Sequence, residues 1–167
     1  MLGERDRFLK LFDIQVKNAN AWLAKMPKDK YDWIPIENPN VQLGARVPTL
    51  TIKAFHIHMT VSDRLWFTAL ENSAEGEELK IPLGEELTNE LFETDFASEC
   101  TKMHEENVKT ILSYSAETLS RNIKYANVER TGMEFLWNAY AHRAHHLGHM
   151  DIYLRQANVE APAYYPF

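Results

Sequence analysis

The sequence predicts an all-α protein: a four-helix bundle of up-down form with a long crossover between the second and third helices. Three observations predict it. Four stretches place apolar residues at three- and four-residue steps. A Thr-x-x-Glu capping signature, Thr131 to Glu134, opens the last of them. Between the second and third, residues 75–94 are acidic and polar, as a connection is and a core helix is not. Residues 1–167 read as one domain, since a chain of this length buries most of the surface it exposes when unfolded.

The first helix runs from about Glu4 to Met26, with Phe8, Phe12, Val16, Ala19, Trp22 and Leu23 on one face, and Pro27 ends it. The stretch to Pro48 holds Pro35, Pro39 and Gly44 with Tyr31 and Trp33, which reads as an ordered loop that packs. A second helix begins near Pro48 or Thr49, Thr supplying the N-cap oxygen, and fades at Asn72 to Gly76. The crossover follows, with a short helical turn in its later part. A third helix covers about Asp95 to Ser113. Leu119, Ile123 and Tyr125 suggest a brief extended segment. The last helix runs from the capping box to about Gln156, with Asn158 as a C-terminal cap residue and Ala161 to Phe167 folding back over the bundle.

Composition excludes several function classes. A formal charge of −6 without a basic run argues against a nucleic-acid partner, which a Lys/Arg patch would accompany. The charged N-terminus lacks an apolar leader core and no run approaches the length of a membrane span, so a cytoplasmic protein that does not enter the membrane is expected. The single cysteine, Cys100, rules out an internal disulfide and a cysteine zinc cage; its apolar helical position reads as core packing. Gly-rich phosphate loops, a G-x-S-x-G elbow, an H-E-x-x-H helix and Glu-x-x-His di-iron motifs are all missing.

What remains is histidine. Four of seven fall in one stretch of the last helix, His142-Arg-Ala-His145-His146-Leu-Gly-His149. At about 100° per residue, His142, His146 and His149 lie within roughly 60° of one another and His145 about 40° outside that arc. Imidazole is the commonest side-chain metal ligand. The four-residue spacing allows His142 with His146 or His145 with His149. Phe135, Ala139, Met150 and Tyr153 extend the stripe of His142 and His146 and centre that pair on the buried side, with His145 toward the edge. His149 reads as a ligand, a support for a ligand, or a pocket wall. One helix cannot easily wrap an ion, so a third ligand must come from a facing helix. His58 shares a face with Phe55, Ser62, Leu65 and Trp66 and is the natural candidate. His56, about 200° around that helix, is assigned to the surface. His104 reads as a hydrogen-bonded core or boundary histidine.

Several motifs carry a family resemblance: His58 eight residues before Trp66, the His142 to His149 stretch, Tyr153-Leu-Arg-Gln156, Val159-Glu-Ala-Pro162, and the loop Tyr31-Asp-Trp-Ile-Pro35. Over nearly its whole length the chain thereby resembles the DinB-like (DinB/YfiT) superfamily of metal-binding four-helix bundles. Carried over, that resemblance places the ligands on His58, His142 and His146. Leu147 and His149 stand where the family has Arg and Gln, which bears on substrate preference and leaves the ligands intact. Imidazole donors suit zinc, nickel, copper and iron alike, with zinc or nickel the first expectation and iron compatible; the resemblance implies two activities: transfer of a low-molecular-weight thiol such as bacillithiol, mycothiol or glutathione to an electrophile, or metal-assisted hydrolysis. Thiol transfer is the favoured expectation. A metal-binding or interaction bundle without turnover, dimeric or not, is the alternative. Asp63, Arg143 and His149 are candidates for orientation or proton transfer, with a solvated or capped side chain the plainer reading of each.

Overall fold

A computed structural model describes residues 3–35 and 49–164 of the chain. The loop residues 36–48 and the final 165–167 lie outside the described residues, and with them the readings of Pro39, Gly44, Pro48 and the end of the tail. Six helices and one hairpin are described: α1 (Glu4–Lys25), α2 (Ile52–Glu71), α3 (Glu85–Glu93), α4 (Phe96–Ser113), α5 (Ala116–Ser120), β1 (Asn122–Tyr125), β2 (Val128–Thr131) and α6 (Gly132–Gln156). The four long helices, α1, α2, α4 and α6, make the bundle.

Local chemistry sets the boundaries. The oxygen cap of α2 is Thr51, whose side chain accepts from Ala54 N at 3.0 Å, two residues later than the sequence suggests. The capping box is complete: Glu134 N donates to Thr131 Oγ1 at 3.2 Å and Thr131 N to Glu134 Oε2 at 2.7 Å. At the far end, Asn158 takes a left-handed φ of 60°, Val159 N reaches Leu154 O at 2.9 Å, and Asn158 N reaches Arg155 O at 3.0 Å. Those paired bonds are a Schellman stop. The tail then lies against α1, where Trp22 Nε1 donates to Pro162 O at 3.1 Å and Asn18 Nδ2 to Tyr164 O at 2.8 Å.

The connections are more structured than the sequence suggests. The crossover holds the nine-residue α3, entered through Gly84 at φ 71°, a conformation that favours glycine. Leu119 belongs to α5, capped by Ser115, and not to an extended segment; the strand starts only at Asn122. The extended segment pairs with β2 as an antiparallel hairpin, Asn122 opposite Thr131, while its other edge meets the crossover through Lys124 N to Glu77 O and Leu79 N to Lys124 O, both 2.8 Å.

Order in space differs from order in sequence. The main packing partners are α1 with α6, α6 with α2, and α2 with α4, whereas α1 and α2, consecutive long helices, meet only lightly. Helix α2 is therefore covered on two sides, and Phe55, His56, Ile57, Met59, Val61 and Asp63 are all buried. This arrangement sets the histidines of α2 beside those of α6.

Candidate metal centre

On α6 the four-residue spacing puts His142 and His146 one turn apart, with Nε2 atoms 3.1 Å from each other and rings near perpendicular at 81°. From α2, His58 Nε2 approaches His142 Nε2 to 3.2 Å, although 84 positions separate the two residues. One nitrogen from each of the three lies within 4.8 Å of the others. His58 and His142 are half-buried and His146 is buried, so the cluster sits at the edge of the α2–α6 seam with one side toward solvent.

Two nitrogens each about 2.0–2.1 Å from a tetrahedral cation stand about 3.3 Å apart. The His58–His142 and His142–His146 spacings of 3.2 and 3.1 Å match that separation, and the third pair lies within 4.8 Å. A shared proton satisfies one nitrogen pair; a cation satisfies all three lone pairs together. Burial first, and then the neighbouring imidazoles, pushes His146 down to about 3, which keeps its ring neutral as a ligand must be. His146 Nδ1 meets His149 Nδ1 at 3.2 Å, a contact in which a proton on His146 Nδ1 would leave its Nε2 lone pair facing His142. Phe55 stacks on His149 at 5.0 Å and Trp66 lies 4.8 Å from the ring of His142, giving the seam apolar walls. The donor groups found among the described residues contain histidines alone.

The remaining candidates separate clearly. His104 Nε2 is bonded to Asp13 Oδ1 at 3.2 Å, as a boundary histidine is, and takes no part in the cluster. His145 is exposed beside His149. Cys100 is buried and its thiol is pushed up to about 11, chiefly by burial, which suits packing and not reactivity. The surface assignment of His56 is overturned: it is 1% exposed, edge-on to Phe96, and burial together with the charge of Arg143 depresses it to about 3. The 200° rotation from His58 was right, but that side of α2 is the one α4 covers.

The plain reading of Asp63 and Arg143 as solvated side chains also fails, since both are 1% exposed. Arg143 donates from Nε to Asp63 Oδ2 at 3.0 Å and from Nη2 to the same oxygen, tying α6 to α2 beneath the histidines. A signal existed in the sequence. Arg143 falls four residues after Ala139 and four before Leu147, and Asp63 falls between Met59 and Phe67 in the same way. Opposite charges set into the apolar rows of two helices point to a buried pair.

A DinB family profile matches residues 1–167. Among solved structures, a DinB-like protein, YjoA of Bacillus subtilis, is similar at TM-score 0.68 and 20% identity, covering 95% of this chain and 97% of that one. A DinB-like protein of Bacillus cereus gives 0.64 and 16%, covering 95% of each chain. YfiT of Bacillus subtilis, described as a probable metal-dependent hydrolase with an unusual four-helix bundle topology, gives 0.65 and 12%, covering 93% and 89%. No curated protein matches the chain. No described helix is long and apolar enough to cross a membrane. The bundle shared with these structures and a profile match running the length of the sequence agree, and the chain belongs to the DinB family.

Proposed function

We propose that this protein is a metal-dependent transferase that holds a low-molecular-weight thiol at His58, His142 and His146 and joins its sulfur to an electrophile in the cytoplasm. The observation that carries this reading is the convergence of three imidazoles, with no carboxylate in the group, on a seam open to solvent. A divalent cation held there, zinc or nickel by preference and iron by the same donor chemistry, lowers the pKa of a coordinated thiol or water toward neutrality.

The protein's own residues supply position. His149 holds the ring of His146 through the Nδ1 contact, Phe55 holds His149, and Asp63 with Arg143 locks the two helices in register. Trp66, packed on Tyr125 at 5.5 Å, offers an apolar surface for the body of the electrophile. In the transfer, the thiol proton passes to solvent, a sulfur–carbon bond forms, and the electrophile's leaving group departs with its electron pair. Water activation benefits from a carboxylate base, and none belongs to the cluster; this favours a thiol, which is the more acidic nucleophile.

Hydrolysis is the second reading, favoured by the description of YfiT, with His149 as the group placed to move a proton. The test is metal analysis of the purified protein followed by a panel of bacillithiol, mycothiol and glutathione with a chromogenic electrophile, beside ester and amide substrates without thiol. Thiol consumption that stops on chelation and in His58→Ala supports transfer. Thiol-independent hydrolysis with the same dependence moves the assignment to the second reading, and loss of neither activity on chelation removes both.

A further inference from the structure

The histidine stretch is larger than the three-residue centre requires. His145, His146 and His149 form another group whose donor nitrogens lie within 4.8 Å of one another. The two groups share His146 and use its opposite sides. Its Nε2 faces His142 at 3.1 Å, while its Nδ1 faces His149 Nδ1 at 3.2 Å. The rings of His145 and His149 stand 4.5 Å apart at 80°, and those of His145 and His146 stand 5.1 Å apart at 67°. His145 and His149 have the four-residue helical spacing that lets two imidazoles reach one ion.

We propose that His145, His149 and the outer nitrogen of His146 form a second site for a divalent transition-metal ion, adjacent to the inner centre and open to solvent. The reading rests on the inner assignment only through the shared His146. Three features favour a site over a chance cluster. Phe55 stacks on His149 at 25° and also packs on His146, so two of the three rings are held before any ion arrives. His145 is exposed, which gives the ion an entry side. The nearest acidic residue along the helix, Asp151, is engaged by Arg155 at 3.0 Å, leaving an imidazole donor set that suits zinc, nickel and copper over magnesium or calcium. With both sites filled, His146 presents one nitrogen to each ion and gives its ring proton to solvent. That requirement makes the outer site the weaker of the two.

Equilibrium dialysis of untagged protein against nickel and zinc at neutral pH tests the proposal. Wild type is expected to take up two ions in distinguishable steps. His145→Ala, at an exposed position outside the inner group of His58, His142 and His146, is expected to lose the weaker step and hold the tighter one. His58→Ala is expected to lose the tighter step and retain the weaker. A single ion in wild type, or two ions retained in His145→Ala, overturns the outer site. If His58→Ala leaves both steps unchanged, the inner assignment fails while the outer one stands.

Discussion

Arg143 of α6 donates from Nε to Oδ2 of Asp63 on α2 at 3.0 Å, inside the bundle and one residue along from His142. Both residues are 1% exposed. Breaking such a pair strands a charge in a medium that solvates it poorly, whereas replacing both partners with apolar groups of similar volume does not. Asp63→Ala is expected to cost about 3–5 kcal/mol in urea unfolding, and Asp63→Leu combined with Arg143→Met to recover most of it. A single-mutant cost under about 1 kcal/mol would show that the pair does not hold the helices together.

Metal content should follow the geometry of the inner cluster. His58→Ala and His142→Ala are each expected to remove the tightly bound ion, measured by elemental analysis after dialysis. His104→Ala, whose ring is committed to Asp13, should keep it. Equal losses in all three variants would break the assignment. His56 is unsuitable as a control, because truncating a buried ring opens a cavity whatever happens at the metal.

The stability of the metal-free protein should fall on acidification, in a window set by buried histidines. His56, depressed to about 3 by burial and then by Arg143, and facing Phe96 on α4, binds no proton in the folded state until far below the ordinary 6.5. The unfolded chain binds one. Between about pH 6.5 and 3 the unfolded state therefore carries more protons and stability drops as pH falls, flattening below 3. His146 has the same sign. Asp63, raised to about 6 by burial against the pull of Arg143, has the opposite sign between 3.8 and about 6. Comparison with His56→Phe isolates the first contribution: the variant's slope should be shallower by up to about 1.4 kcal/mol per pH unit. Parallel profiles across that window would show that His56 keeps ordinary acidity.

The start of α6 should tolerate no added carbon. A Cβ at Gly132 would stand 2.2 Å from the backbone oxygen of Thr118, which cannot rotate away as a side chain does. Gly132→Ala is expected to cost about 1–3 kcal/mol and to lower the thermal midpoint. Gly148, where an added Cβ meets nothing within 4 Å, is the matched control on the same helix. Gly148→Ala should be neutral or slightly stabilising.

Within each helix the sequence was enough. The spacing of Phe8, Phe12 and Val16, the capping box at Thr131 and the left-handed Asn158 settled where helices lie and end, because caps and periodicity act over one or two turns. The neighbourhood of His142 and His146 follows from the same rule, since four residues is one turn. Their approach to His58 does not, and neither does the hairpin pairing at Asn122, because both depend on elements distant along the chain.

His56 shows where local reasoning stops. Its angle from His58 follows from helical geometry alone, but whether that side of α2 meets water or another helix depends on the packing order α1–α6–α2–α4, which no single helix encodes. The sequence by itself determined four amphipathic helices, their ends apart from the start of α2, and the histidine-rich face of the last. Tertiary packing decided that α2 lies between α4 and α6, burying His56 and the Asp63–Arg143 pair and bringing His58 to the histidines of α6. The physical reason is range: a helix fixes the relative directions of its own side chains, while burial belongs to whatever surface the rest of the chain places opposite them.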